Sequence, residues 1–311
     1  MAQLDPPFVS VVLCTHNPRR DHLEATLQSL RAQDLPQSRW ELLLVDNRSD
    51  EPVAGRYDLS WHPAARVVLE PELGLARARR RGYLEARGDL LVHSDDDNIL
   101  SPNYLRAAAE AYCSHPHLGV FGGQLLAKFE VEPRNDFERG FSGERRIERD
   151  RWSSLPDDTR TMPFGAGMCL RREVVEAYLE QTAQDPRRLS LGRTGSRLLT
   201  GEDLDLNYVA TGLGLGTGLF AGMSLQHLIS KERMAAGHII RYAAANAYSV
   251  VILKYLHFGI IDLPRRSLPS ALTYWLRIWL RMSPFERRRE IAMHRARREA
   301  VRDLRQWGWL A

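Results

Sequence analysis

Four short runs of Val and Leu punctuate the first hundred residues, at positions 8–14 (FVSVVLC), 41–45 (ELLLV), 66–69 (RVVL) and 89–93 (DLLVH). Runs this short and this apolar, bounded by Pro, Asn and Asp, read as strands buried on both faces. Between them, residues 21–33 place Leu23, Leu27 and Leu30 at helical spacing, and residues 73–87 form an Ala- and Arg-rich helix. Strands alternating with helices through short loops predict an α/β fold, a Rossmann-like, mostly parallel sheet with flanking helices. Ligands of such sheets bind outside the carboxyl ends of the strands. Three of those ends carry polar clusters here: Thr15-His16-Asn17, Asp46-Asn47 and Asp95-Asp96-Asp97.

The second half is less regular. Residues 102–114 read as a helix, 120–129 as a strand, and 130–158 as a charged, turn-rich loop in which Asp150 and Trp152 are candidates for touching an acceptor sugar. A glycine-containing strand approach follows at 163–171 (PFGAGMCLR), and a helix at 203–211 after the turn Thr200-Gly201-Glu202. The stretch GLGLGTG at 212–218 lacks the spacing of a dinucleotide loop and reads as a turn into a strand. From about residue 235 the chain is mostly helical. The expected division is a catalytic domain over 1–234 and a helical, basic C-terminal extension over 235–311.

The triple Asp carries the chemistry. Side chains alternate on an extended backbone, which would point Asp95 and Asp97 at one ligand. Carboxylates are the ligands of hard divalent cations, and Mg²⁺ is held by one or two of them together with phosphates. A Mn²⁺ or Mg²⁺ ion there would neutralise a diphosphate leaving group. The plainer alternative is a solvated acidic turn or a helix N-cap. Glu202 and Asp203 have an equally plain reading, since acids favour the first turn of a helix.

Six segments together resemble the inverting, GT-A-type glycosyltransferases of family 2: VSVVLCTHN (9–17), LLVDNRSD (43–50), GLARARRRG (74–82), GDLLVHSDDDN (88–98), FGAGMCLRR (164–172) and GEDLDL (201–206). Each is short, but they follow the family's order over about residues 8–230. The resemblance implies that Thr15, His16, Asn17 and Asp46 hold the nucleoside and that Arg79 lies near the donor phosphates. It implies that Asp95 and Asp97 are the DxD pair, with Asp96 beside them on the donor and Asp97 in direct contact with the metal. Asp203 would be the catalytic base, with Glu202 next to it, and His227 a further metal or phosphate contact. Arg80 and Gly167 depart from the pattern, standing where the family often has Asn. The implied activity is a metal-dependent, hexosyltransferase-type transfer from a nucleotide sugar, a UDP-sugar being favoured, to a hydroxyl acceptor in cell-envelope polysaccharide or glycolipid biosynthesis. Two other readings stand beside it. A nucleotidyltransferase would want a Gly-rich, cationic loop after the first strand, where this chain has Thr-His-Asn-Pro-Arg-Arg. A non-catalytic nucleotide- or glycan-binding module would not need Asp95, Asp97 and Asp203 all to be intact.

Charge is uneven along the chain. Ten Arg against four acids between positions 277 and 305 make that segment +6, which leaves −2 for the remainder of a chain whose total is +4. Together with Tyr274, Trp275, Trp279, Phe285, Trp307 and Trp309, this basic tail suits an anionic membrane surface and a lipid-linked acceptor, or else a helix packed on the core. No nucleic-acid module is visible. The three scattered cysteines and an N-terminus without a signal-peptide pattern lead to the expectation of a cytoplasmic protein, peripheral on the inner membrane face.

Overall fold

In the computed structural model of the chain, residues 8–133, 139–193, 199–261, 263 and 268–310 are described. β1 (Val9–Thr15) and β2 (Trp40–Asp46) are buried at every position, which is why both read as unbroken apolar runs. α1 (Arg20–Arg31) connects them and packs Leu23, Leu27 and Leu30 inward. Glu41, the charged exception in β2, accepts hydrogen bonds from Ser10 Oγ (2.7 Å), the Arg87 amide (2.7 Å) and Arg66 Nη1 (2.7 Å), so its burial is compensated. β3 (Ala65–Leu69), α2 (Leu75–Glu85) and β4 (Leu90–Asp95) follow, and β3-β2-β1-β4 are mutually parallel.

The backbone leaves β4 differently from the extended run expected. Asp96 and Asp97 form a tight turn into β5 (Asn98–Leu100), so the two-residue alternation of side chains does not hold across the triple Asp. α3 (Tyr104–Ser114) leads to β6 (Leu118–Phe129). The segment read as a loop contains a strand, β7 (Arg151–Ser153), antiparallel to residues 217–219. β8 (Cys169–Arg171) runs into α4 (Arg172–Gln184), α5 (Glu202–Gly212) and β9 (Gly216–Ile229). Among the described residues the sheet order is β3-β2-β1-β4-β8-β6-β9-β5, with β7 also on β9.

The basic pair of the FGAGMCLRR segment is architectural. Arg171 donates to the carbonyls of Leu118 (2.6 Å) and Tyr112 (2.5 Å), and Arg172 donates to Gly88 (2.9 Å) and Ala86 (3.0 Å). Gly167 lies at φ 70°, and a Cβ there would stand 2.4 Å from the Tyr104 hydroxyl. Glycine takes this left-handed conformation without strain and brings no Cβ to that contact, so an Asn here would crowd the Tyr104 hydroxyl.

α6 (Ala236–Phe258), α7 (Leu268–Arg281) and α8 (Pro284–Gln306) complete the chain, α8 opening with a Ser283–Glu286 capping box. Tyr248, Val251 and Ile252 of α6 join Ala296, Ala300 and Leu304 of α8 in one apolar cluster that also takes in Tyr208 of α5. No helix of the described residues is long and apolar enough to cross a membrane. A buried polar knot ties α6 to α5. Asp205, fully buried, receives Arg188 through both carboxylate oxygens, and its Oδ1 lies 2.7 Å from His257 Nε2. Burial works to raise the Asp205 carboxyl, but His257 and Arg188 hold it below the usual range. Asp205→Ala strands both partners and should destabilise the fold by about 3–5 kcal/mol in urea denaturation. A loss below about 1 kcal/mol would mean that the knot contributes little.

Candidate active site

The polar ends of β1, β2 and β4 converge. Thr15 Oγ1 donates to Asp96 Oδ2 at 2.5 Å, and the Asn47 amide donates to the Thr15 carbonyl at 2.8 Å. His16 Nδ1 lies 2.9 Å from the Asn47 carbonyl, and the Asn17 and Asp50 side chains are joined at 3.0 Å. Asn17 and Arg48 both hold positive φ, 49° and 55°, so the two loops turn tightly beside each other. Asp46 is buried, with its oxygens taking the amides of Ser49 (2.9 Å) and Val53 (3.0 Å), which shapes the loop after β2.

Arg79 organises the neighbouring region. It projects from α2, is 3% exposed, and donates to Asp95 Oδ1 (2.9 Å) and Glu202 Oε2 (3.0 Å). Gly165 allows this approach, since a Cβ there would meet Arg79 Nη1 at 2.9 Å. Glu202 and Asp203 occupy the first turn of α5. Asp203, half-buried, accepts from the amides of Gly165 (3.2 Å) and Leu204 (2.9 Å). Burial holds its carboxyl above the ordinary aspartate range, although Arg79 opposes this.

A third group forms where β5 pairs with β9, whose register sets Asn98 opposite His227. Asp97, 5% exposed, receives Asn98 Nδ2 (2.8 Å) and Arg233 (2.9 Å), with His227 Nε2 3.5 Å away. Burial would raise Asp97, but His227 and Arg233 pull it well below the carboxylate range. Arg233 Nη1 also lies 2.8 Å from His227 Nε2. His227 Nδ1 is buried without a partner among the described residues.

A cleft of about 1040 Å³, including its open mouth, is lined by Arg79, Asp95, Glu202, Asp203, His227 and Arg233 among others. Asp97 sits behind His227 and Arg233. Thr15, His16, Asn17, Asp46 and Asp96 do not line this cleft; Thr15 is joined to Asp96, next in the chain to the cleft-lining Asp95. Asp150 and Trp152 lie outside it, Asp150 accepting the Ala221 amide (2.7 Å) and Trp152 packing on His115. Among the described residues no three or more His, Cys, Asp or Glu side chains gather as a metal cage. Asp97 and His227 nonetheless fit one divalent ion. Two ligands at roughly 2.1 Å from a metal stand about 3–3.5 Å apart, and their contacting atoms are 3.5 Å apart. Arg233 now occupies the position of positive charge between them.

Sequence reading missed Arg193, Arg233, Phe141, Phe164, His238 and Tyr242, all of which line the cleft. Phe164 is backed by the Arg145 guanidinium, 3.7 Å from its ring centroid. The one local signal was Arg233, six residues past His227.

The architecture is the GT-A fold. The crystal structure of S. aureus TarS 1-349 in complex with UDP-GlcNAc superimposes with a TM-score of 0.55 at 15% identity, covering 82% of this chain and 67% of that one. The chain belongs to glycosyl transferase family 2, whose family model matches residues 10–179. It is similar to glycosyltransferase AglE of Haloferax volcanii, 27% identical over 94 residues, 29% of this chain and 31% of that protein. O-antigen biosynthesis protein RfbC of Myxococcus xanthus is 30% identical over 118 residues, 37% of this chain and 9% of that protein. The matched stretches thus span under a third of either relative's own length.

The buried carboxylates titrate late. Burial lifts Glu202 from 4.5 to about 7 despite Arg79, and burial with the nearby Asp97 charge lifts Asp96 to about 7. The folded chain therefore keeps protons that the unfolded chain has released. Stability from Glu202 is fully present below pH 4.5 and is lost as pH rises through 7. Glu202→Gln should flatten this fall in a series of Tm measurements against pH, by at most about 3 kcal/mol. Asp96 leaves a residual slope of the same sign. Parallel curves for the two proteins would show that Glu202 ionises in its ordinary range.

Proposed function

We propose that this chain is a metal-dependent, inverting glycosyltransferase of hexosyltransferase type. It moves a sugar from a nucleotide sugar, preferentially a UDP-sugar, to a hydroxyl of a glycan or lipid-linked acceptor in envelope polysaccharide or glycolipid synthesis. The observation that carries the reading is that Asp203 lines the same cleft as Asp95, His227 and Arg233. A base and a cation-holding group on one cleft are what an acyl-free displacement at an anomeric carbon requires. The UDP-GlcNAc bound to S. aureus TarS supports the nucleotide, and the O-antigen role in RfbC's name supports the pathway class.

In this reading, Thr15, His16, Asn17 and Asp46 hold the nucleoside beside β1 and β2, while Asp95 and Asp96 face the donor. Arg79, Arg193 and Arg233 bring positive charge to the donor's phosphates. Asp97 and His227 would hold Mn²⁺ or Mg²⁺, which when bound would neutralise charge on the departing diphosphate; Asp95 would join them only on leaving Arg79. Asp203 takes the acceptor's hydroxyl proton as that oxygen attacks the anomeric carbon. The bond from carbon to diphosphate oxygen breaks on the opposite face, so the configuration inverts. The raised affinity of Asp203 for a proton makes it a stronger base than an exposed aspartate. Glu202, held by Arg79, keeps the helix start in place.

Residues 1–234 act as the catalytic domain and 235–311 as its helical extension, which supplies His238 and Tyr242 to the cleft wall. A cytoplasmic chain that meets an anionic membrane at its basic end completes the reading. The nucleotidyltransferase alternative is disfavoured by the loop after β1: Arg19 is paired with Asp21 and Glu130, and Arg20 with Glu24, leaving neither aimed at a phosphate.

Asp203→Asn should retain UDP binding and lose about 10²–10⁴-fold in turnover; normal turnover would remove Asp203 as the base. Asp97→Ala should abolish the rise in Tm that Mn²⁺ produces in the presence of UDP, together with metal-stimulated turnover. An undiminished Mn²⁺ effect would place the ion elsewhere.

A further inference from the structure

α7 is anchored by one side and offers the other. Ile278 is 1% exposed, whereas Leu276, Trp279 and Leu280 are 57%, 64% and 74% exposed. Their spacing of three and four residues puts these three on one helix face. α8 follows with Arg288, Arg295 and Arg302 at seven-residue intervals, and Arg298 and Arg305 at the same interval. All five are exposed, and none has an ion-pair partner among the described residues. Ala296, Ala300 and Leu304 form the opposite, buried side.

The apolar face and the arginine row meet. The Arg287 guanidinium lies 5.1 Å from the Trp279 ring centroid. Arg287 precedes Arg298 by eleven residues and Arg305 by eighteen, so at about 3.6 residues per turn the three share a side of α8. Arg289, two residues along and therefore on the opposite side of α8, sits 5.8 Å from the ring centroid of Phe141, a residue of the cleft wall. A charge row alone would be an ordinary solvated face. Exposed Leu and Trp at its end add a feature that water does not favour.

We propose that α7 and α8 form a docking face for an anionic phospholipid bilayer, in which Leu276, Trp279 and Leu280 insert at the interface and the arginine row lies along the headgroups. Such a division, bulky apolar side chains on one side and cations on the other, matches an interfacial helix. Charge complementarity commits the face to acidic lipid, and α8 joins it to the cleft wall through the Arg289–Phe141 contact on the helix's other side, close to an acceptor carried in the same bilayer. The inference deepens the functional reading above, on which the link to the acceptor rests.

The test uses the full chain and sedimentation with two sets of vesicles, pure phosphatidylcholine and phosphatidylcholine with roughly one third phosphatidylglycerol. Sedimentation with the acidic vesicles alone is expected, weakening as salt is raised. Reversing Arg288, Arg295 and Arg302 to Glu should weaken it by about tenfold or more. Trp279→Ser with Leu280→Ser should weaken it at low salt too. Both sets of positions are exposed, so the Tm should stay unchanged. Equal sedimentation of all proteins, or equal affinity for neutral vesicles, would overturn the proposal. So would duplex DNA binding that the Glu reversals remove and the Ser pair leaves intact. A UDP thermal shift measured on the same proteins separates the two readings: its absence in the unaltered chain defeats the transferase, whatever the vesicles show.

Discussion

One buried guanidinium joins the two halves of the candidate site. Arg79 reaches from α2 to Asp95 at the end of β4 and to Glu202 at the start of α5, residues separated from it by 16 and 123 positions. A lone buried cation is costly, and two carboxylates offset that cost only while both stay within hydrogen-bond distance. The arrangement therefore specifies where α5 begins relative to the sheet. Asp203, the next residue along, inherits its place at the cleft wall from that constraint. Gly165, by carrying no side chain, leaves room for the guanidinium.

Around Arg79 the molecule crowds acids into a small volume. Asp96, Asp97, Glu202, Asp203 and Asp205 respond differently because their partners differ. Asp97 and Asp205 each face two cationic or protonatable groups and are held low. Asp96 and Glu202 are lifted to about 7, and Asp203 is lifted as well, since burial outweighs the help they receive. Pushing apart the proton affinities of adjacent carboxyls is how one site can offer both a cation holder and a base. Arg233 shows the same economy, neutralising Asp97 while contacting His227.

The C-terminal helices are integrated with the rest of the chain. α6 and α8 share an apolar cluster with Tyr208, Lys254 pairs with Asp157 at 3.0 Å, and the Asp205 knot fastens α6 to α5. Asp205 lies two residues past Asp203 on the same helix. Packing of the extension and geometry at the cleft are therefore coupled through α5 itself.

The sequence by itself determined the strands, because β1, β2 and β4 are buried enough to need unbroken apolar runs. It determined the polar clusters at their ends, and the acidic start of α5, because capping and burial leave local marks. Tertiary structure alone decided which of those residues meet. The turn at Asp96–Asp97 breaks the expected alternation and sends Asp95 to Arg79 and Asp97 to Arg233. The register of β5 on β9, Asn98 opposite His227, brings the imidazole to Asp97. Tyr242 and His238 arrive at the cleft only because α6 folds back over it. Periodicity reports which face of an element is buried; it carries no information on the partner that buries it, and Arg233 and His227 lie more than a hundred residues from Asp97.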